Sequence, residues 1–173
     1  MATIIVNDET MTGKVGERLL SVARHNGAHI GFMCDNAGTC QGCRCQVLAG
    51  AENLNPPTEA ELSWLPAERL AAGQRLACQA VIRNDGEVRV LSRAEELRRI
   101  VRSVITPFAG ESRLTNLQPL LSIIGSQAAD QLALFPQNVI SNLRRTGLRR
   151  FAFPILDRER FFADIKRVRE RQQ

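Results

Sequence analysis

Four of the five cysteines in this chain fall within twelve positions, in the stretch MCDNAGTCQGCRCQV at residues 33–47. The spacing is Cys34-x5-Cys40-x2-Cys43, with Cys45 close behind and thirty-four residues between Cys43 and Cys78. Three thiolates on one loop, completed by a fourth from a distant strand, is an iron–sulfur arrangement. The plant-type run has a first gap one residue shorter. Gly31, Gly38 and Gly42 punctuate the loop. They let the backbone curl so that amide N–H groups can point at sulfur. A two-iron cluster on four thiolates is anionic in both redox states, so hydrogen bonds and nearby charges set its potential. Arg44 and Arg75 lie beside cysteines in sequence. If they face the cluster, they favour its reduced state.

Other readings compete. Cys45 follows Cys43 by two positions and reads as a small buried core thiol. His25 and His29 read as structural or surface residues, since four well-spaced cysteines suffice. A zinc-bearing structural module is the main rival, although zinc sites usually show two paired-cysteine knuckles and Cys78 has no neighbour. A redox C-x-x-C would open a helix in a βαβ unit, whereas Cys40-Gln41-Gly42-Cys43 leads into a strand. A disulfide staple is disfavoured by the odd cysteine count. The N-terminus, MATIIVNDET, lacks a basic and an apolar signal region, which points to the cytoplasm, where structural disulfides are rare.

The loop needs elements to hold it. ATIIV (2–6) reads as a strand, with Asn7-Asp8 as a turn and a second short strand near Gly13–Val15. GERLLSVARHNG (16–27) carries a helical stripe stopped by Gly27. CQVLAG (45–50) reads as a strand. Thr58 and Glu61 form a capping box opening the helix TEAELSWL. RLACQAVI (75–82) and EVRVL (87–91) read as strands about an Asn84-Asp85-Gly86 turn. Residues 1–91 are thus expected to form a small α+β domain.

Residues 92–173 change style. SRAEELRRIVRSV reads as a helix capped by Ser92, with Leu97, Ile100, Val101 and Val104 on one face. Thr106–Gly110 breaks it. A loose helical stripe follows through Leu117, Leu120, Leu121, Ile124, Ala128 and Leu132, with Pro136 interrupting. Asp157 caps a last helix bearing Phe161, Phe162, Ile165 and Val168. Residues 1–90 hold 8 Lys/Arg against 10 Asp/Glu; residues 91–173 hold 15 against 8, and fourteen of those fifteen are Arg. An acidic first part joined to an arginine-rich second part implies two tasks. The longest uncharged run, 114–129, is too short and too polar for a membrane-spanning helix.

GERLLSVARHNG, C-x5-C-x2-C and RLACQ around Cys78 resemble the adrenodoxin-type [2Fe-2S] ferredoxins over about residues 1–91. The resemblance implies a β-grasp fold and a [2Fe-2S] cluster on Cys34, Cys40, Cys43 and Cys78. It also implies one-electron traffic between redox protein partners without substrate chemistry, so no enzyme activity. Members that serve monooxygenases carry a strongly acidic docking helix; TEAELSWLPAERL holds only Glu59, Glu61 and Glu68. The run from GERLL through IGFMCDNAGTCQGC and RLACQ to VRVLSRAEELRRI is similar to the ferredoxin-domain proteins of the chlorosome envelope of green photosynthetic bacteria. There, an envelope-associated C-terminal region follows the [2Fe-2S] domain.

Three functions are therefore carried forward. The first is a [2Fe-2S] electron carrier, cytoplasmic and peripheral to a membrane or chlorosome envelope. Its residues 92–173 would form a mainly helical, basic amphipathic region resting on a polar or anionic lipid surface or a photosynthetic assembly. The second is a soluble donor to an oxidoreductase, and the third a zinc module. Nucleic acid is not an expected partner, because no recognition motif or aromatic stacking platform accompanies the charge.

Overall fold

The computed structural model describes residues 1–106, 113–153, 155 and 157–171. Strand β1 (Ala2–Val6) alternates inward Ala2, Ile4 and Val6 with outward neighbours, as a half-buried strand requires. Asn7 and Asp8 both take left-handed backbone, φ 55° and 69°, the geometry of the tight turn that suits strand twist. They fold the chain straight back into β2 (Glu9–Gly13), with Ala2 opposite Gly13. The second strand therefore lies earlier than the expected Gly13–Val15, because the turn leaves no connecting loop.

Strand β1 also pairs in parallel with β5 (Glu87–Ser92), which pairs antiparallel with β3 (Arg44–Ala49). β3 carries β4 (Gln74–Leu76) at its other edge. The sheet order is β2-β1-β5-β3-β4. Helix α1 (Leu19–His25) drives Leu19, Leu20, Val22 and Ala23 into the core formed with Ile4, Val6, Leu76, Ile82, Val88 and Val90. A mixed sheet grasping one helix is the α+β arrangement the sequence implies.

The strand expected over 75–82 is mostly absent. Only Gln74–Leu76 joins the ladder. Beyond it, Ala77 N–H donates to the Cys43 carbonyl, while Gln79 and Ala80 N–H groups turn back onto the Leu76 carbonyl. That turn lifts Cys78 off the sheet. Val81 and Ile82 retain isolated bridges to Arg18 and Leu54.

Helix α2 (Glu59–Trp64) has the expected capping box between Thr58 and Glu61. A further short helix, α3 (Ala67–Ala71), follows Pro66. Ser92 Oγ accepts from Glu95 N–H and opens α4 (Arg93–Ile105). The most buried side chain of α4 is Glu95; Val101 is exposed. The break expected at Thr106–Gly110 lies, from residue 107 onward, outside the described residues.

Helix α5 (Arg113–Ala152) runs through Pro119 and Pro136 and departs from helical geometry at Gly147, φ 76° and ψ 157°. The expected interruption at Pro136 is thus displaced to Gly147, which adopts backbone that only glycine readily takes. Helix α6 (Arg158–Arg171) is capped by Asp157, whose Oδ1 accepts from Arg160 N–H at 2.9 Å. It docks through a polar residue, Asp164, together with Phe161 of its apolar face. Asp164 is buried and accepts from Arg24 Nε at 2.5 Å and Arg167 Nη1 at 2.6 Å. Phe162 and Ile165 stay exposed. Phe161 meets Phe32 edge-on, ring centres 5.5 Å apart.

Candidate metal centre

The cysteine loop leaves α1 and curls against itself. Asp35, Asn36 and Gln41 take left-handed backbone, as does Gly38. Gly31 backs directly onto Gly42: a Cβ there would lie 2.2 Å from the Gly42 carbonyl oxygen. The loop brings Cys34, Cys40 and Cys43 to the turn that presents Cys78. The thiols touch in sequence: Cys40 with Cys34, Cys34 with Cys78, and Cys78 with Cys43.

Hydrogen bonds from the Cys40 and Cys78 thiols hold the Cys34 thiol far below the usual cysteine range, helped by backbone donors at Thr39 and Cys40. As donors to it, Cys40 and Cys78 are pushed well above that range, and burial adds to the rise. Four thiols this close cannot all ionise without a cation among them. Further donors already point at sulfur. Gly42 N–H reaches Cys40 Sγ at 3.4 Å, Cys78 N–H reaches Cys43 Sγ at 3.4 Å, and Gln79 Nε2 reaches Cys78 Sγ at 3.5 Å.

Among the described residues, no three or more His, Cys, Asp or Glu side chains form a group able to hold one metal ion. If a two-iron cluster were held here, Cys34, Cys40, Cys43 and Cys78 would supply its four thiolates. Cys34, Cys43 and Cys78 are buried, and Cys40 is half-buried at the outer edge. The donor set and its amide hydrogen bonds fit a two-iron cluster.

Residues 4–83 match the family described as 2Fe-2S iron-sulfur cluster binding domain. This part of the chain is such a domain.

Chlorosome protein I of Chlorobaculum tepidum is 39% identical over 142 residues, covering 82% of this chain and 54% of that protein. Chlorosome protein J of the same organism is 45% identical over 104 residues, covering 60% of this chain and 46% of that protein. A component of the Na(+)-translocating NADH-quinone reductase of Methylococcus capsulatus is 32% identical over 88 residues, covering 50% of this chain and 21% of that protein. The chain thus spans about half the length of the two chlorosome proteins it matches.

The surroundings of the cluster-binding loop differ in part from expectation. Cys45 lies apart from the quartet, its Sγ 3.6 Å from the Arg75 carbonyl oxygen, and burial pushes its thiol up. Arg75 is committed to the wholly buried Glu61, with Nε–Oε1 at 2.7 Å and Nη2–Oε2 at 3.0 Å, and to the Asn55 carbonyl. Arg44 donates to Gln74. His29 Nδ1 pairs with Glu95 at 3.0 Å, and His25 is exposed.

The cation placed on the loop is one the sequence reading missed. Arg145 Nη2, from α5, donates to the carbonyls of Ala37 at 3.3 Å and Gly38 at 3.2 Å. Arg150 Nη2 donates to the Asp35 carbonyl at 3.2 Å. Burial pushes the Arg145 guanidinium below the usual arginine range, while the charges of Cys78 and Cys34 act in the opposite direction. On a straight helix, residues five apart point about 140° away from one another. The Gly147 break is what lets both side chains reach one loop. A glycine within the run RRTGLRR was the available signal.

Proposed function

We propose that the chain is a one-electron carrier in which Cys34, Cys40, Cys43 and Cys78 ligate a [2Fe-2S] cluster. Its C-terminal region attaches it to a membrane-associated assembly of the chlorosome kind. The observation that carries the cluster reading is the convergence of those four thiols, with Cys45 held apart. When bound, the cluster supplies a one-electron couple. The chain's residues do the rest. Amide donors from Gly42 and Cys78 soften the charge on the sulfurs. Burial of three cysteines excludes water, and the half-buried Cys40 edge is where a redox protein partner can approach. No general acid or base is required, so the chain performs no substrate chemistry of its own.

Two observations support attachment. Among the described residues of α5, Leu121, Ile124, Leu132 and Phe135 are exposed and recur at spacings of three and eight, which forms one stripe. Leu148, Phe153 and Phe162 are also exposed beyond the kink, amid an excess of arginines. Apolar side chains with flanking cations suit a helix lying in a lipid headgroup layer. No described helix is long and apolar enough to cross a membrane. The division of labour follows: residues 1–91 carry the electron and residues 92–173 hold the carrier in place. The chlorosome proteins I and J support the site of attachment.

Anaerobic iron and sulfide analysis with EPR tests the cluster: two irons and two sulfides per chain and a reduced-state signal are expected. Zinc at one equivalent without iron would replace this reading with a structural module. Co-sedimentation with anionic lipid vesicles tests attachment. Binding should fall at least tenfold when Leu132 and Phe135 are replaced together by Gln; unchanged binding removes the anchor.

A further inference from the structure

Between the cysteine loop and α5 lies a cleft of about 480 Å³, a volume typical of small-molecule sites. Three guanidinium groups line it, from Arg18, Arg145 and Arg150, against one carboxylate, Asp35. That carboxylate is already engaged, its Oδ1 accepting from Arg24 at 3.3 Å. Asn36 and Gln79 add polar walls. Two atoms of the lining residues are buried without a partner among the described residues: the donor Arg150 Nε and the acceptor Asn36 Oδ1. Leaving such groups unsatisfied costs about 1–3 kcal/mol each. Both atoms are closed to solvent, so it is the positive charge of Arg18, Arg145 and Arg150 along the cleft that selects a ligand.

The cleft is wired to the quartet. Gln79 Nε2 bridges the Asn36 carbonyl at 3.0 Å and Cys78 Sγ at 3.5 Å. Arg145 shares the cleft wall and donates to the Ala37 and Gly38 carbonyls of the cysteine loop.

We propose that this cleft binds a small organic anion, a carboxylate or phosphate ester, and that its occupancy opposes reduction of the cysteine-held cluster. The proposal rests on the cluster reading above. The arriving electron adds negative charge next to a site chosen for negative charge. A bound anion therefore disfavours the reduced state. By linkage, reduction loosens the anion by the same factor. The anion reports the redox state, and the redox state releases the anion.

The test is an anaerobic redox titration of the full chain followed by EPR, with citrate or glycerol 3-phosphate exchanged for chloride at constant ionic strength. A saturable lowering of the midpoint with either probe is expected; tenfold coupling appears as about 59 mV for one electron. Arg18→Gln should keep the EPR signal and lose the shift, and Arg150→Gln, which also frees the Asp35 carbonyl, should lose the shift whatever the intensity of its signal. A loaded protein with its normal signal, whose midpoint ignores both probes or moves equally in both variants, overturns the proposal. A chain that shows no reduced-state signal overturns the cluster reading instead. Calorimetry of the same probes then decides the cleft: binding that disappears in Arg150→Gln supports it, and no arginine-dependent binding overturns it.

Discussion

Gly31 and Gly42 meet where no side chain fits, with 2.2 Å between a notional Gly31 methyl and the Gly42 carbonyl oxygen. Because the clash is with backbone, no rotamer relieves it. Gly31→Ala should open the loop and remove most of the reduced-state EPR signal per chain, whereas Leu48→Ala, at an exposed site on β3, should leave it intact. The cysteines supply a sharper contrast. Cys78→Ser should abolish or strongly alter the signal, and Cys45→Ser should change it little, since Cys45 bonds to the Arg75 carbonyl and not to the quartet. At this scale the sequence was informative about cysteines, because loop spacing is local and survives folding. It was misleading about charge. Arg44 and Arg75 neighbour cysteines in sequence yet turn to Gln74 and Glu61. The two arginines that hold the loop's carbonyls come from more than a hundred residues away.

Among the elements, α2 and β4 are pinned by one ion pair. Glu61 is fully buried and accepts from Arg75, from Leu76 N–H at 2.9 Å and from Thr58 N–H at 2.9 Å. Removing one partner leaves a buried charge, so Glu61→Ala should destabilise the fold by about 3–5 kcal/mol in denaturant titrations. The pair fixes the strand from which Cys78 turns away, and cluster retention should fall with it. Helix α4 supplies a pH signature. Burial opposes ionisation of Glu95, but hydrogen bonds from Arg98, His29 and Arg99 outweigh it and hold the carboxyl at about 2. A carboxyl depressed from its ordinary value near 4.5 stabilises the fold above that value and loses the contribution as pH falls toward 2. The contribution is on the order of 3 kcal/mol. Far-UV circular dichroism of Glu95→Gln should show a shallower loss of stability between about pH 4.5 and 2 than the parent chain. Elements with local signals, such as the Asn7-Asp8 turn, the Thr58 cap and the Ser92 cap, were legible in sequence. Strand β4 was overextended because apolar residues over 75–82 serve a turn and two bridges rather than a ladder. Pro119 and Pro136 did not mark the break in α5, whereas Gly147 did.

Across the whole molecule, the C-terminal helices bear on the cysteine loop from two sides. Arg145 and Arg150 hold its carbonyls, and Asp164 of α6 holds Arg24, whose guanidinium lies over Phe32 at 4.7 Å. Loss of a nearby positive charge disfavours the reduced state. Arg145→Gln should therefore lower the midpoint potential, by an amount on the order of tens of millivolts. Gly147→Ala should act in the same direction, because a Cβ cannot take that backbone without about 1–3 kcal/mol of strain, and the clamp loses its geometry. An unchanged potential in both variants would separate the helix from the cluster electrostatically. This coupling was invisible to sequence reading, since arginines on a helix ordinarily look like a solvated face.

The order of the chain gives that clamp a temporal meaning. All four cysteines precede Arg145, and about 70 residues separate Cys78 from it. At about 5–20 residues per second, a ribosome takes several seconds to cover that distance. During this interval the loop exists without its strap, open to whatever machinery delivers iron and sulfide. Until α5 has been made, the carbonyls of Asp35, Ala37 and Gly38 lack the two arginines that hold them in the finished chain.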